Sequence, residues 1–270
     1  MSDLVNIVVH GSAGRMGQAV IRCVLESTQA RLTCALVKPG SGLADEPLDR
    51  IFGALSRNVD FSTSLDPDVA IDVLVDFSGP VAFDGALALA LERRVAFVSG
   101  STGLHDEQHT MLERAAQSIP VLWSANFSLG VAMLVRAVRR VAAALPDWDC
   151  DIVEFHHKRK EDAPSGTAME LGHAVAEGRG HALASHAVYA RHGQVVGPRK
   201  PDEIGFAALR GGDVVGEHTV LFAADGERLE LTHRAGNRDI FARGALAAAV
   251  WLAHREPGLY TLDQVLAPTE

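Results

Sequence analysis

The stretch VVHGSAGRMGQAV, residues 8–20, decides the fold of the first half of this chain. It joins a run of β-branched residues to a segment whose apolar residues recur at helical spacing. Gly11, Gly14 and Gly17 stand at the junction. Glycines let backbone N–H groups approach a pyrophosphate, and the start of a helix favours its negative charge. The stretch therefore predicts a strand, a dinucleotide-binding loop and a helix.

The glycine motif departs in one position from the common G-x-G-x-x-G pattern, because Ala13 takes the place of the second glycine. A tight strand-to-helix turn without a ligand therefore stays open as the alternative. The end of the next predicted strand, CALVKPG at 34–40, has no acidic residue to bind the ribose hydroxyls of NAD. Lys38 stands there instead, and a cation suits the 2′-phosphate of NADP, although it also suits an exposed loop.

Strand-like and helix-like segments alternate through the first half of the chain. The strand-like runs are 4–10, 32–37, 71–78, 95–100 and 119–125, and the helical ones are 15–27, 80–94 and 104–117. Such repeated units with short connections predict a mainly parallel sheet with helices on both faces, a Rossmann-like α/β domain.

The pattern changes after residue 128. A long amphipathic helix, 129–145, precedes strands at 149–157, 203–210, 214–224 and 227–234 and a closing helix at 238–254. Asp225-Gly226 is a strong hairpin signal between the last two strands. We therefore expect a second, α+β domain with a mainly antiparallel sheet.

Composition limits the class of protein. Of 270 residues, 47% are hydrophobic and 22% are charged, as in ordinary globular proteins. The formal net charge of −9 argues against a nucleic-acid binder, because no basic field covers the chain. The cysteines, Cys23, Cys34 and Cys150, are widely spaced, which indicates reduced thiols and not a disulfide framework or a zinc site.

The first residues lack the features of a signal peptide, and no apolar run approaches the length of a membrane span. We therefore expect a cytoplasmic protein with no membrane partner.

Five consecutive basic residues, His156 to Lys160, precede the sequence APSGT at 163–167. Histidine suits proton transfer near neutral pH, and a nearby lysine can bind an anion or assist as an acid. A helix that begins directly afterwards would point its first N–H groups at the same place. The run indicates a site for a small anion, although a histidine pair alone is often incidental. No metal site is predicted, because the adjacent cations oppose one.

A helix start is predicted at 166–168, because Thr167 and Glu170 match the capping box T-x-x-E. The hydroxyls of Ser165 and Thr167 can cap this helix, hold a carboxylate together with the free N–H groups, or do both.

The segment HHKRKEDAPSGTA at 156–168 resembles the signature of the 4-hydroxy-tetrahydrodipicolinate reductase (dihydrodipicolinate reductase) family. The resemblance covers nearly the whole chain through GSAGRMG at 11–17, VDFSGP at 75–80, GSTG at 100–103, SANFSLGV at 124–131 and GFAALRGGDVVGEHTV at 205–220. It implies NAD(P)H-dependent reduction of a cyclic dicarboxylate, 4-hydroxy-tetrahydrodipicolinate, in diaminopimelate and lysine biosynthesis.

The resemblance also implies a domain organisation and a homotetramer. The dinucleotide-binding domain is expected at 1–127, completed by 238–270, because the last helix of the family returns to it. The segment 128–237 is expected to bind the substrate and form the tetramer contacts.

By position, His156 matches the catalytic acid of the family and Lys160 its partner lysine. The positions that match the substrate dicarboxylate site are His157, Ser165, Gly166 and Thr167. Those that match cofactor-contact segments are Gly11, Ser12, Ala13, Gly14, Arg15, Met16, Gly100, Ser101, Thr102, Ser124, Ala125, Asn126 and Phe127.

One departure bears on the cofactor. Some members of the family carry a glutamate where this chain has Val37, and that residue precedes Lys38. We therefore expect NADPH to be preferred, with NADH possible.

Two other functions fit parts of the sequence. Another two-domain nicotinamide-dependent dehydrogenase would explain the glycine loop but not the segment 156–168. A non-catalytic dinucleotide-binding module would be expected to lack the proton donor, whereas both His156 and Lys160 are present.

Overall fold

In a computed structural model of the chain, the structure describes residues 4–56, 59–193 and 197–266. Its strands are β1 (Val5–His10), β2 (Ala30–Leu36), β3 (Phe61–Ser62), β4 (Val73–Asp76), β5 (Ala96–Ser99), β6 (Pro120–Trp123), β7 (Asp149–His156), β8 (Ala187–Val188), β9 (Ile204–Arg210), β10 (Gly216–Ala224), β11 (Glu227–Ala235) and β12 (Gly258–Tyr260). Its α-helices are α1 (Arg15–Leu25), α2 (Asp49–Phe52), α3 (Pro80–Arg93), α4 (Asp106–Ala115), α5 (Leu129–Ala144), α6 (Gly166–Gly178), α7 (Asp239–Leu252) and α8 (Leu262–Val265).

The chain divides into two compact units. The first contains the residues up to Ser128 and those from Asp239 onward, and the second is Leu129–Arg238. Each unit has its own cluster of buried apolar side chains.

A seven-stranded parallel sheet forms the first unit, in the order β12-β6-β5-β4-β1-β2-β3. Every residue of β4 and β5 is buried, as expected of parallel strands that are covered on both faces. Helices α3 and α7 contact its central strands β4 and β5, and α4 contacts β6. The predicted Rossmann-like parallel sheet is confirmed.

Three short strands were not predicted from the sequence. Strands β3, β8 and β12 contain only two or three residues, too few to show an alternating pattern. Strand β12 pairs with β6, so a segment from the end of the chain completes the edge of the first sheet.

A five-stranded sheet forms the second unit, in the order β11-β10-β7-β9-β8. The hairpin predicted at Asp225-Gly226 joins β10 to β11, and β10 also runs antiparallel to β7. Strand β9 is an exception to the antiparallel arrangement. That strand lies on the far side of β7, parallel to it, because the chain crosses the end of β7 before β10 begins. The longest pairing, between β10 and β11, is antiparallel, and the sheet is mainly antiparallel as predicted.

Helices α5 and α6 pack together in the second unit, and their apolar residues share a core with one face of its sheet. Val138 and Val175 contribute from the helices, and Ile152 and Phe222 from the strands. Among the described residues, no helix is both long and apolar enough to cross a bilayer.

Candidate active site

Strand β7 carries the central polar residues of the second unit. Its side chains alternate, so that Cys150, Ile152, Glu154 and His156 all point to the buried face of the sheet. Apolar residues occupy the first two of these positions and ionisable residues the last two. A polar cluster therefore follows the hydrophobic core at the carboxyl end of the strand.

The neighbouring strands add two side chains to this cluster. His218 of β10 is the cross-strand partner of Glu154, and Arg210 of β9 is the partner of His156. The rings of His156 and His218 meet edge to face, with centroids 5.1 Å apart.

Each oxygen of the Glu154 carboxylate has its own partners. Oε1 accepts a hydrogen bond from the Ser165 N–H at 3.1 Å and another from Nη2 of Arg210 at 2.9 Å. Oε2 contacts Nδ1 of His156. Glu154 is only 1% exposed, so this carboxylate depends on these partners and not on water.

Opposing effects act on the ionisation of the pair. Burial raises the pKa of Glu154, but the Arg210 hydrogen bond and the positive charges of His156 and Arg210 outweigh burial and hold the pKa below its ordinary value. Burial lowers the pKa of His156, and Glu154 only partly opposes that effect. Glu154 is therefore ionised at neutral pH, and His156 loses its proton more readily than an exposed histidine.

Helix α6 begins beside this pair. Its N-cap is Ser165, whose hydroxyl accepts a hydrogen bond from the Ala168 N–H at 3.2 Å. The predicted capping box is therefore wrong about the cap residue. Thr167 lies within the first turn, because the helix begins at Gly166, two residues earlier than a Thr167 cap would allow.

His218 supports the cap. Its Nε2 lies 3.2 Å from the Ser165 hydroxyl. Burial, and then the charge of His156, lowers the pKa of His218 to about 4. His218 is therefore neutral at physiological pH and acts as a hydrogen-bonding group beside His156.

Charged groups linked by hydrogen bonds surround Lys160. Its Nζ donates to Oδ1 of Asp162 at 2.8 Å, and the Asp162 carbonyl accepts from Arg210 at 2.6 Å. The Lys160 hydrogen bond lowers the pKa of Asp162, with burial opposing it. His157 lies in the same turn, where its carbonyl accepts from the Lys160 N–H.

The second unit therefore brings most of its predicted site residues into one cluster. His156 and Ser165 share Glu154 as a partner, and the charge of Lys160 acts on His156. Gly166 and Thr167 form the first turn of α6 beside them.

The ligand atoms of Glu154, His156 and His218 lie within 4.8 Å of one another, a spacing that could admit a metal ion. The positive charges of Arg210 and Lys160 act on the same groups and oppose a bound cation.

The predicted dinucleotide loop lies between β1 and α1 in the first unit. Gly11 has φ +79° and lies against Phe77 and Ser78, where a Cβ atom would approach their backbone within 2.8 Å. A Cβ on Gly17 would approach the Gly11 carbonyl oxygen within 2.3 Å. Only glycine fits either position, which explains the tight entry into the helix.

The start of α1 suits a phosphate group. No side chain caps this helix, and its N-cap is Gly14. Ala13, Gly14 and Arg15 are exposed, while Met16 is half-buried. Backbone N–H groups at such a helix start can therefore receive an anion.

Ser12 has a different role from its neighbours. Its hydroxyl donates to the Val9 carbonyl at 2.7 Å, and its N–H donates to the Leu36 carbonyl at 3.0 Å. The residue is fully buried, so it shapes the loop from inside.

A buried carboxylate links the loops that follow β1, β4 and β5. Asp76 accepts hydrogen bonds from His10 and from the hydroxyls of Ser78, Ser99 and Ser101, at 2.6–2.9 Å. Burial opposes its ionisation, but the bonds from His10, Ser78 and Ser101 hold its pKa below the ordinary value. The carboxyl ends of neighbouring parallel strands are thereby held in a fixed arrangement.

The other predicted cofactor segments lie at the same edge of the sheet. A Cβ on Gly100 would collide with the Phe77 ring, and Ser101 is buried, whereas Thr102 is exposed. These residues follow β5, directly beside the loop that follows β4.

The loop after β6 is held mainly by its own hydrogen bonds. The Ser124 hydroxyl donates to the Asn126 carbonyl, and the Ser124 N–H donates to the Ser99 carbonyl. Phe127 is buried, with its ring centroid 5.8 Å from that of Phe77, and Ala125 is exposed.

Val37 and Lys38 follow β2. Val37 is buried, and its N–H donates to the Ser62 carbonyl, whereas Lys38 is exposed. Because β2 lies beside β1 in parallel, the carboxyl ends of both strands lie at one edge of the sheet. The position suits a contact between Lys38 and a phosphate group.

Sequence reasoning missed Glu154, His218, Arg210 and Asp76. A signal for Glu154 was present, because the alternation of a strand at 149–157 places it on the same face as His156. His218 and Arg210 lie in the segment 205–220, but nothing local in that segment indicates their partners.

Comparisons with known proteins agree over nearly the whole chain. The family described as "Dihydrodipicolinate reductase, N-terminus" matches residues 5–127, and "Dihydrodipicolinate reductase, C-terminus" matches residues 130–266. A 4-hydroxy-tetrahydrodipicolinate reductase of Cereibacter sphaeroides is 46% identical over 98% of this chain and 99% of its own length. One from Pseudoalteromonas atlantica is 41% identical over 96% of this chain and 98% of its own length.

Solved structures show the same fold. A dipicolinate-bound dihydrodipicolinate reductase from Paenisporosarcina sp. TG-14 gives a TM-score of 0.76 at 24% identity, covering 98% of this chain and 100% of that one. A myo-inositol dehydrogenase from Corynebacterium glutamicum gives 0.56 at 12% identity, covering 95% and 90%. Fold likeness thus extends to other dehydrogenases, whereas sequence likeness selects one group of reductases. The family matches and the identity of 41–46% over nearly full length confirm the predicted family: the chain belongs to the dihydrodipicolinate reductase family.

Proposed function

We propose that this chain reduces 4-hydroxy-tetrahydrodipicolinate to tetrahydrodipicolinate with a nicotinamide dinucleotide, in diaminopimelate and lysine biosynthesis. The observation that supports it most directly is the cluster in which His156, Glu154 and the start of helix α6 lie together. A proton donor and an anion-binding helix start are what a cyclic dicarboxylate requires. The reaction adds a hydride and a proton and releases the hydroxyl as water.

The residues of the second unit have separate roles in the proposed reaction. His156 supplies the proton, since a histidine side chain suits proton transfer near neutral pH and this one lies beside the start of helix α6 through their shared partner Glu154. Lys160, His157, the Ser165 hydroxyl and the N–H groups of Gly166 and Thr167 hold the carboxylates of the substrate.

Lys160 is paired with Asp162 in this structure. A substrate carboxylate must therefore share or replace that partner, and charge-assisted hydrogen bonds of this kind are among the stronger ones. Arg210 bonds to Glu154 and to the Asp162 carbonyl, so its positive charge offsets the negative charge of the Glu154 carboxylate beside this turn.

The first unit fits a dinucleotide, which supplies the hydride when it is bound. The exposed, uncapped start of α1 suits the pyrophosphate, and the close packing at Gly11 and Gly17 keeps the loop tight against the helix. We propose that NADPH is preferred and that NADH can be used, because Lys38 is exposed and Val37 offers no carboxylate.

We further propose a cytoplasmic homotetramer. The face of the second sheet opposite its helices leaves Val153, Phe155, Leu209 and Leu221 half-buried or exposed, and a second copy of the chain would cover such apolar residues. Burial raises the pKa of Cys34 to about 11 and of Cys150 to about 12, which keeps these thiols protonated and suits a reducing compartment.

The proposed reaction is tested by cofactor oxidation in a coupled assay, in which dihydrodipicolinate synthase forms the substrate in place. NADPH oxidation that requires the synthase supports the proposal. Binding of NADPH, measured by fluorescence, without turnover would indicate a non-catalytic module. Oxidation or reduction of other amino-acid or sugar substrates in its place would indicate another dehydrogenase.

A further inference from the structure

We infer that Glu154 is a positioning residue that keeps a proton on Nδ1 of His156, so that Nε2 is the atom that passes a proton to the substrate. The inference rests on the proposed function, since it assigns a role within the same site.

The partners of Glu154 determine where this proton lies. An ionised carboxylate only accepts hydrogen bonds, so the nitrogen of His156 that faces Oε2 must be the donor. In the neutral ring the proton therefore resides on Nδ1, and Nε2 carries the lone pair. When the ring gains a second proton, it binds at Nε2.

A glycine leaves room on one side of Nε2. Gly216 lies on that side of the ring, where a Cβ atom would come within 3.0 Å of Nε2. Any larger residue at this position would crowd the atom that we assign to proton transfer.

The same carboxylate connects the proton donor to the anion site. Oε1 accepts from the Ser165 N–H, at the cap of the helix whose first turn receives the carboxylates of the substrate. One buried side chain thus holds both the ring of His156 and the helix start. Replacing the partner that orients a metal-bound histidine commonly costs about 10- to 100-fold in affinity or activity, and we expect an effect of that order here.

The other charges that face His156 do not duplicate this role. Lys160 and Arg210 both lower the pKa of His156, and His218 is neutral at physiological pH. Among the described groups that act on His156, Glu154 is the one that favours its protonated form.

Glu154→Gln is the informative variant, because the surrounding donors decide how the new amide turns. The Ser165 N–H and Arg210 can only donate, so the amide oxygen must face them. The amide NH₂ group then faces Nδ1 of His156, which becomes an acceptor. The neutral ring must carry its proton on Nε2, and the imidazolium meets an opposing donor.

Two measurements follow. Long-range ¹H–¹⁵N spectra of the histidine rings should show the neutral His156 tautomer change from Nδ1–H to Nε2–H in Glu154→Gln. The kcat of the variant should fall about 10- to 100-fold at neutral pH. The pH above which kcat declines should move lower, with KM for the substrate changing less.

Glu154→Asp keeps the charge and should restore part of the kcat and the Nδ1–H tautomer. Asp151→Asn is the matched control. It removes a carboxylate from the same strand, but this carboxylate pairs with Arg199 and not with His156. Its kcat and pH profile should stay like those of the wild type. Circular dichroism and the unfolding midpoint verify that each variant folds.

The outcomes separate the two proposals. A wild-type protein without turnover of the substrate contradicts the proposed function, whatever the spectra show. An active wild type together with a Glu154→Gln variant of unchanged tautomer and unchanged pH profile overturns the positioning role. If Glu154→Gln fails to fold, Glu154→Asp and the wild-type tautomer decide, and an Nε2–H tautomer in the wild type contradicts the inference.

Discussion

Glu154 and His218 lie opposite each other on neighbouring strands, and both bond to Ser165 at the start of helix α6. Glu154 accepts from the Ser165 backbone, and His218 contacts its hydroxyl. A hydrogen bond that involves a charged group contributes about 1.5–3 kcal/mol, so this carboxylate holds the helix start firmly. The start of helix α6, where we propose that the substrate carboxylates bind, is therefore held by residues of two strands.

His156→Gln should lower kcat about 100-fold or more, the scale on which a positioned general acid acts, while KM changes less. Glutamine keeps a donor for Glu154 but cannot give up a proton. Steady-state kinetics in the coupled assay test this, with His173→Gln on the exposed side of α6 as a control. Turnover close to that of the wild type would remove His156 from the proton-transfer step.

Lys160→Ala should raise KM for the substrate by about 10- to 150-fold, as loss of a charge-assisted bond of about 1.5–3 kcal/mol predicts. It should also lower kcat, because the substrate is held less well beside His156, while the pKa of His156 should rise once the positive charge of Lys160 is removed. Lys158→Ala removes an exposed cation from the same turn and serves as the control. Equal effects of the two variants would mean that only the general positive charge of the turn matters.

Lys38→Ala should reduce kcat/KM for NADPH by about 5- to 30-fold, since a solvent-exposed lysine–phosphate contact contributes about 1–2 kcal/mol. The kcat/KM for NADH should change little, and kcat/KM for NADPH should depend less steeply on salt concentration. Lys200→Ala, an exposed lysine of the second unit, is the control. If the wild type uses both cofactors equally and the variant does the same, Lys38 does not contact the 2′-phosphate.

His218 should make the protein less stable as the pH falls. Its pKa is about 4 in the folded chain and about 6.5 in an unfolded one, so between these values the unfolded state binds the additional proton. The contribution of neutral His218 to the free energy of unfolding is complete above about pH 6.5 and is lost as the pH falls to about 4. It amounts to about 3 kcal/mol, taking 1.36 kcal/mol for each pKa unit.

Denaturant unfolding between about pH 4.5 and 8 measures this contribution. His218→Asn should flatten the loss of unfolding free energy on acidification, whereas His173→Gln should not. A His218→Asn protein with the acid sensitivity of the wild type would contradict the assigned pKa of His218.

Periodicity and turn chemistry in the sequence were sufficient to predict most of the fold. The buried runs at β1, β4 and β5 and the glycine loop after β1 are local signals, because burial on both faces and a tight turn each restrict the residues nearby. The segment at 156–168 indicated the reductase family for the same reason, since its histidines, lysine and helix start are neighbours along the chain.

What the sequence alone could not determine depends on pairing between distant strands. Glu154 meets His218 only because β7 pairs with β10, and it meets Arg210 only because β9 lies parallel on the other side of β7. Likewise, Asp76 meets His10 and Ser101 only at the shared edge of a parallel sheet. The sequence by itself determined which residues could do the chemistry. Only the tertiary structure decided which residues surround the Glu154–His156 pair, because Arg210 and His218 lie more than 50 residues away along the chain and leave no local pattern.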